Sequence, residues 1–232
     1  MALAELKNGG EFNILQADLI LSTGEKVGLK LSIIGLTLFE NINQISLTGN
    51  MVMQDAFNLA SYGPIIGQEY LKLKIATPSL SGEDNIIDYT DNSFMVTSLD
   101  DRSDIGNGVQ ASVLSFVSRE FVVNQRSRVR RTLVGTYSDI VETVLRNEKY
   151  GLDSAKKFYN EPSVDSKKII APNITPFGVI GMATKNAVSK KHNDATYMFF
   201  ENTRGFNFRT LGNLYSKAPI MTYEYTIPST RT

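Results

Sequence analysis

Carboxylates are concentrated in one stretch of this sequence, where they could bind a metal ion or act as a general acid and base. The acidic residues of the stretch are Glu83, Asp84, Asp88, Asp91, Asp100, Asp101 and Asp104. A calcium loop needs oxygen ligands at alternate positions, a glycine and a closing glutamate, and the last three aspartates do not have that spacing. Two carboxylates in exposed loops would both be ionised, so they could not divide the roles of acid and base. We therefore interpret the stretch as solvated loops beside a strand, with no metal site and no catalytic residue.

Residues that support nucleophilic or cofactor chemistry are scarce elsewhere. The sequence has no cysteine, which excludes disulfides, thiolate metal sites and thiol nucleophiles. Its single histidine, His192, lies in a polar run that predicts an exposed loop. No GxGxxG, GxxxxGK[ST] or GxSxG motif occurs. The sequence therefore predicts neither an enzyme nor a cofactor site.

Positive charge is concentrated at Arg126, Arg128, Arg130 and Arg131. An arginine run can bind phosphates, but no aromatic residue is interleaved here to stack on bases. Lysine plus arginine (24) equals aspartate plus glutamate (24), so the net charge gives no reason to expect a nucleic-acid or membrane partner. Our hypothesis is that the arginines contact another domain or subunit, for example through the acidic loops of a neighbour.

The predicted secondary structure that positions these residues differs between the two halves of the chain, with strands dominating the first half. From Phe12 to Val117 apolar residues recur with a period of two, as in residues 26–33 and 70–75. This alternation predicts strands with one buried face, and about six strands at this spacing predict an antiparallel barrel or sandwich. One short helix is expected near Asp55–Ala60.

Two helices are predicted in the second half. An apolar stripe at helical spacing is formed by Tyr137, Ile140, Val141, Val144 and Leu145. Thr136 or Ser138 would be the N-cap of that helix, and Gly151 lies past its end. A second helix should begin at Thr175 and Pro176, because proline fits the first helical turn.

A β-hairpin is predicted after the second helix. Its strands are Thr196–Phe200 and Phe206–Leu211, with a four-residue loop at Asn202–Gly205. Two helices and a hairpin make a small α/β layer, so the predicted fold class is α+β. Residues from Leu214 onward resemble the start of a further strand.

Targeting segments are not evident. Residues Met1–Glu11 differ from a signal peptide, since they lack its charged head and apolar run. No stretch approaches the ~18 apolar residues of a membrane span. We expect a soluble protein that is not secreted and that assembles in a reducing cytoplasm.

Several short motifs resemble the signatures of the baseplate hub proteins of contractile-tailed phages. The motifs of the first half are Phe39–Asn41, Leu47–Gly49, Asp55, Pro64–Glu69 and Phe116–Glu120. Those of the second half are Gly135 with Tyr137–Val141, Ala171–Asn173 with Pro176 and Phe177, and Tyr197–Asn202 with Arg204–Phe208. Their order and spacing together cover about residues 25–214.

The resemblance implies a tail-tube-like antiparallel β-barrel followed by a small α/β domain, in a trimer at the centre of the baseplate. We expect the barrel domain at residues 1–125, the α/β domain at 126–214, and a C-terminal extension or the start of a second barrel at 215–232. Members of the family usually carry a second barrel after the hairpin, which this chain does not reach. Either the chain is a truncated version, or another subunit supplies the adaptor between tube and spike.

The expected role is therefore a structural virion protein of the tail baseplate, assembled in the host cytoplasm, that connects the tail tube to the central spike. Expected partners are further copies of the chain, the tail tube and central spike proteins, and the tape-measure and wedge proteins. No membrane or cofactor is expected, and nucleic acid only as DNA that passes through a central channel. The candidate interface or motif residues are Glu40, Asn41, Pro64, Gly67, Glu69, Arg126, Arg128, Arg130 and Arg131.

Other roles remain open at this point. Pro64 and Gly67 also suit a tight turn before a strand, which would make them structural residues. A different tube-like component, such as a distal tail or tube protein, would share the barrel but lack the α/β layer. A tail-associated cell-wall hydrolase would need a cleft with paired carboxylates or a metal triad. A nucleic-acid-binding module would show salt-dependent binding of DNA.

Overall fold

The alternating residues of the first half form a seven-stranded antiparallel sheet. The computed structural model describes residues 12–55, 65–77, 86–104, 110–219, 222, 224 and 225. The strands are β1 (Asn13–Ile20), β2 (Lys26–Gly28), β3 (Ile33–Phe39), β4 (Thr48–Asp55), β5 (Tyr70–Ala76), β6 (Ile86–Asp104) and β7 (Gln110–Ser118). Their order across the sheet is β2-β1-β5-β6-β7-β4-β3. The short helix predicted near Asp55–Ala60 lies outside the described residues, except for Asp55, which ends β4.

The sheet buries one face against its own side chains. The buried core of this part contains Ala17, Leu19, Leu21, Leu29, Leu47, Met51, Met53, Leu71, Leu73, Tyr89, Phe94, Val96, Leu114 and Phe116. All of them belong to the sheet or its connections, and no described residue after Ser118 joins the cluster. A sheet that covers its own apolar face must bend over that face, since both faces of a flat sheet would be open to water.

The two ends of the sheet, β2 and β3, are consecutive in the chain. Residues 29–32 connect them and bond to strands on both sides, since the Leu29 N–H donates to the Ala17 carbonyl of β1 at 2.8 Å. On the other side, the Gln54 N–H of β4 donates to the Ser32 carbonyl at 2.7 Å. The strand ladder of the described residues is open between β2 and β3, so closure into a barrel stays a prediction.

The second half forms an α/β layer with a core of its own. Its elements are α1 (Arg119–Arg126), β8 (Val129–Gly135), α2 (Tyr137–Arg146), β9 (Phe158–Asn160), β10 (Lys167–Ile174), α3 (Pro176–Asn186), β11 (Tyr197–Asn202), β12 (Gly205–Thr210) and α4 (Leu211–Tyr215). Strands β8 and β10 pair as a two-stranded ribbon, and β11, β12 and β9 form a three-stranded sheet. The described residues of the whole chain thus give an α+β fold with four helices, and the domain boundary at residues 125 and 126 stays a prediction.

Local capping signals fix both predicted helices. Thr136 is the N-cap of α2, where its Oγ1 accepts from the Asp139 N–H at 3.2 Å. The Asp139 carboxylate accepts in return from the Thr136 N–H at 3.1 Å, which completes a capping box. Thr175 caps α3, and Pro176 occupies its first turn. Both helix starts are therefore confirmed.

The hairpin is confirmed with a shorter loop than predicted. Strands β11 and β12 pair as far as Asn202 and Gly205, which leaves only Thr203 and Arg204 in the turn. Gly205 has a φ of +132°, and a Cβ there would lie 2.2 Å from the Lys157 carbonyl oxygen. Only glycine allows the backbone at this position to approach the Lys157 carbonyl so closely. The pairing of β11 with β12 therefore continues up to the turn. Strand β9, which the sequence did not predict, pairs with β12 in parallel.

Helix α1 was also missed by the sequence interpretation, because its inward residues are polar. Glu120 and Asn124 are its buried residues. The Asn124 Oδ1 accepts from the Phe177 N–H at the start of α3, at 2.8 Å. A helix whose buried face carries a carboxylate and an amide shows no apolar stripe, which is the signal that predicts amphipathic helices.

Gly49 should be intolerant of any side chain. A Cβ there would lie 2.4 Å from the Phe116 ring and 2.8 Å from the Thr37 carbonyl oxygen. We expect Gly49→Ala to lower the free energy of unfolding by about 1–3 kcal/mol, because the core must shift to admit a methyl group. Gly35→Ala is the matched control in the neighbouring strand, since a Cβ at Gly35 meets nothing within 4 Å. Urea unfolding of both variants is the measurement, and equal midpoints would contradict this packing.

Candidate interaction surfaces

The Pro64–Glu69 motif is a turn held by a buried carboxylate. Glu69 is fully buried, and its oxygens accept from the N–H groups of Ile66, Gly67 and Gln68 at 2.9, 2.9 and 3.1 Å. Gly67 has a φ of +81°, a backbone conformation that favours glycine. Glu69 therefore stabilises the turn and is not exposed to a partner. Pro64 lies outside the described residues.

Glu40 and Asn41 lie at the surface, in the turn that follows β3. The Asn41 Oδ1 accepts from the Asn43 N–H at 2.9 Å, and the Asn41 carbonyl accepts from the Gln44 N–H at 3.0 Å. Asn41 thus shapes the turn by local hydrogen bonds that asparagine commonly makes. Both residues are accessible, and whether they contact a partner stays a prediction.

The four candidate arginines are exposed around the start of the β8–β10 ribbon. Arg128 donates to the carbonyls of Gln125 and Ser127 at 3.0 and 2.8 Å. The guanidinium of Arg131 lies 3.9 Å from the centre of the Tyr150 ring. Within the described part of the chain, none of the four forms an ion pair. No acidic side chain of the described residues is therefore paired with any of the four charges.

An apolar groove of about 560 Å³ lies where the outer face of β3, β4 and β7 meets α1. Aromatic side chains line it, among them Phe39, Phe121 and Phe177. Phe39 and Phe121 remain 45% and 41% exposed, which is high for such large apolar side chains. No residue that lines the groove is charged or can act as an acid or base near neutral pH. The groove suits contact with apolar protein groups and offers no catalytic machinery.

A buried ion-pair network, missed by the sequence analysis, joins the sheet to the α/β layer. The Lys156 Nζ lies 2.7 Å from Glu120 Oε2 and 2.6 Å from Glu201 Oε1, and all three side chains are at most 5% exposed. The second oxygen of Glu201 accepts from the Leu47 N–H at 2.9 Å, in the chain that leads into β4. The Ser154 hydroxyl donates to Glu120 Oε1 at 2.6 Å. Every oxygen of both carboxylates therefore has a partner.

The charges of this network depend on one another. Burial tends to lower the pKa of Lys156, but the carboxylates of Glu201 and Glu120 outweigh it and raise that pKa. Burial raises the pKa of Glu201; Lys156 opposes this rise and Glu120 adds to it. Two carboxylates share one ammonium group, so the lysine stays charged while an acid is held above its usual range.

A small polar cavity of about 160 Å³ lies beside this network, between β6 and the β11–β12 turn. Tyr89 lines it, and its hydroxyl has no hydrogen-bond partner in the described part of the protein. Burial, followed by Glu201 and Glu40, raises the pKa of Tyr89, so the phenol stays protonated. Lys156 and Glu201 also line the cavity, but both are already engaged in the network.

The remaining chemical candidates do not converge. His192 lies in a turn and is half buried, so it is less exposed than predicted. Asp88 pairs with Lys74 at 2.7 Å, while Glu83 and Asp84 lie outside the described residues. In the ranges that the structure describes, no three histidine, cysteine or acidic residues are grouped closely enough to bind a metal ion. None of the helices there is long and apolar enough to cross a membrane.

The fold that carries these surfaces is similar to that of tail proteins. One solved relative is the 43 kDa tail protein of prophage MuSo2 from Shewanella oneidensis, with a TM-score of 0.50 and 10% identity over 83% of this chain and 53% of that one. Another is the tail protein from Neisseria meningitidis MC58, with a TM-score of 0.51 and 10% identity over 87% of this chain and 50% of that one. The chain thus spans about half the length of either protein. No protein-family model and no curated protein matches the sequence.

The ion-pair network should dominate the stability of the junction. We expect Lys156→Met to lower the free energy of unfolding at neutral pH by about 3–5 kcal/mol, because it leaves two buried carboxylates without their cation. Lys157→Met is the matched control, since Lys157 is the adjacent, exposed lysine. It should change the stability by less than about 0.5 kcal/mol in the same urea titration.

The loss of free energy of unfolding caused by Lys156→Met should be smaller at acidic pH than at neutral pH. A glutamate whose folded pKa is raised stabilises the fold below its ordinary value of 4.5, and this contribution is lost as the pH rises through the raised value. Without Lys156, the main group that opposes that rise in the pKa of Glu201 is lost. Urea titrations at about pH 5 and pH 8 should therefore give the smaller difference from the wild type at pH 5. A loss that does not change with pH would show that the carboxylates are not the cause.

Proposed function

We propose that this chain is a structural subunit of a phage tail, namely the baseplate hub subunit that connects the tail tube to the central spike of a contractile tail. The observation that carries the proposal is the similarity of its fold to two tail proteins over more than four fifths of the chain. The motifs that resemble hub proteins extend from Phe39 to Phe208 and support the same role from the sequence.

The α/β layer favours a hub over a simpler tube component. A tube or distal-tail subunit, as judged from the same resemblance, would have the sheet without a layer of helices and hairpin after it. Here that layer has its own apolar core, and the buried Lys156 network joins it to the sheet. We propose further that the sheet closes into a tube-like barrel, which its self-covered core and the bonds of residues 29–32 to β1 and β4 support.

The proposed role is assembly without catalysis. The large groove is lined by uncharged residues, and the oxygens of the buried carboxylates Glu120 and Glu201 are all engaged by Lys156 and by hydrogen bonds within the chain. The proposed partners are further copies of this chain in a trimer, the tail tube and central spike proteins, and the tape-measure and wedge proteins. The protein would assemble in the host cytoplasm and reside in the virion baseplate, with DNA only in transit through its channel.

Disruption of the gene in the phage that encodes the chain tests this role. We expect lysates without intact contractile tails in electron micrographs, because a tube cannot be joined to a spike without its hub. Supply of the wild-type chain in trans should restore them. In restored particles, antibodies against the chain should label only the baseplate end of the tail.

The rival functions predict different results in the same experiments. Labelling along the whole tube would identify a tube protein and contradict the hub. Clearing of purified peptidoglycan by the isolated chain would favour a tail-associated hydrolase. Intact, infectious tails without the chain would contradict any structural role.

A further inference from the structure

The β8–β10 ribbon carries exposed aliphatic side chains on its outward face. Val134 and Ile170 are 71% and 67% exposed, whereas Leu133 on the other side of the ribbon is buried in the core of the α/β layer. Successive residues of a strand point to opposite faces, so Arg130 and Thr132 share the outward face with Val134. All three are exposed, and they follow β8 along its length.

Strand β8 is an edge strand of this ribbon, which has only two strands. In an antiparallel pair, every second residue directs its N–H and C=O groups away from the partner strand. Among the described residues, no backbone group outside β10 forms a hydrogen bond with β8. The outer row of its backbone groups is therefore open, and a row of this kind can pair with a strand of another chain.

The opposite edge of the ribbon, β10, is less suited to such pairing. Pro172 has no N–H group, and the pairing with β8 is irregular between Pro172 and Ile174. Asn173, which lies between them, has a φ of +60°. Proline and bulges interrupt an edge and keep other strands from adding to it. Strand β8 contains no proline and pairs over all seven residues from Val129 to Gly135, so it is the regular edge.

The charge of the ribbon restricts the choice of partner. Strands β8 and β10 contain Arg130, Arg131, Lys167 and Lys168 but no acidic residue. Lys167 pairs with Asp165 at 3.4 Å, whereas no ion pair of the described residues engages Arg130. Pairing of β8 with β8 of a second copy would place four arginines in two adjacent strands, which is unfavourable. The edge therefore suits a strand of a different protein, one that brings an acidic residue.

We propose that β8 accepts an extended segment of another tail protein as a third strand of the ribbon. Main-chain hydrogen bonds hold the segment, an acidic side chain of the segment lies beside Arg130, and an aliphatic side chain lies beside Val134. Arg130 and Val134 are four residues apart, so the matching residues of the segment are also four apart. This inference rests on the proposed function for the identity of the partner as a tail component, but the open edge itself does not.

Photo-crosslinking in assembled tails tests the contact. The full chain, with benzoylphenylalanine in place of the exposed Thr132, is supplied in trans to the phage that lacks the gene, and the purified tails are irradiated. We expect one crosslinked segment, from another tail protein, with an acidic and an aliphatic residue four positions apart. The matched control carries the same group in place of Lys190, an exposed residue outside the ribbon, and should not crosslink to that segment.

Peptide binding tests the edge without the phage. The probes are the end-blocked peptides Ser-Val-Ser-Thr-Ser-Glu-Ser and its reverse, which match antiparallel and parallel addition, and the same peptides with lysine in place of glutamate. We expect one glutamate peptide to bind the purified full chain roughly threefold to tenfold more tightly than its lysine counterpart. NMR should show shifts and slower hydrogen exchange in alternate amides of β8. The same peptide with N-methyl groups on alternate residues should not bind, because it cannot donate the main-chain hydrogen bonds.

A charge exchange separates the side-chain contact from the backbone pairing. Arg130→Glu should reverse the preference, so that the lysine peptide binds more tightly than the glutamate peptide. Lys190→Glu makes the same charge change elsewhere on the surface and should leave the preference as in the wild type. Arg130 is exposed and unpaired with any acid of the described residues, so the urea midpoint should not change.

Several results would overturn the inference. These are peptides that bind outside β8 or not at all, equal binding of the glutamate and lysine peptides, and a crosslink from position 132 to DNA, to a second copy or to nothing. If tails are restored but the crosslink is absent, the contact is wrong and the role in the tail stands. If the wild-type chain does not restore tails, the tail role is wrong, and the peptides alone decide whether β8 accepts a strand.

Discussion

The sheet and the α/β layer are held together by a buried ion-pair network whose charges do not balance within it. Lys156 faces Glu120 of α1 and Glu201 of β11, and the Leu47 N–H from the sheet satisfies the remaining oxygen of Glu201. Burial of charge is unfavourable unless the ion-pair distances are short and every carboxylate oxygen has a partner. The sheet and the α/β layer can therefore move little relative to each other without breaking the network. A junction made only of apolar contacts could slide more easily. The network therefore fixes how surfaces on the two parts of the chain are presented relative to each other.

The sequence predicted those elements whose signals are local. Thr136 with Asp139 and Thr175 with Pro176 mark helix starts through interactions that span three residues or fewer, so both helices are found where expected. Alternation correctly predicted β5, which contains residues 70–75, but of residues 26–33 only Lys26–Gly28 and Ile33 lie in strands, and Leu31 is 97% exposed. Helix α1 was missed, since Glu120 and Asn124 form its buried face. Polar residues become inward residues only when partners from distant parts of the chain satisfy them.

The residues of the candidate sites that the sequence did not predict are those whose partners lie far away in the chain. Glu201 lies 45 residues from Lys156 and 154 from Leu47, distances over which no spacing rule operates. The arginine cluster was visible as charge, but its aliphatic neighbours were not, because Val134 and Ile170 resemble core residues in the sequence. Only the register of β8 and β10 shows that they lie on the outward face. Glu69 illustrates the opposite case, since a charged motif residue proved to be buried inside its own turn.

The two faces of the large sheet differ in their surroundings, and this difference is relevant to function. The inward face of the sheet is covered by the side chains of the sheet itself, whereas the outward face of β3, β4 and β7 carries almost no charge. A solitary soluble protein gains solubility from charges on exposed strands and risks edge-to-edge aggregation without them. Three adjacent strands almost without charge are therefore a liability for a monomer. They would suit a subunit whose outer surface is covered by neighbouring subunits, which is the situation proposed for this chain.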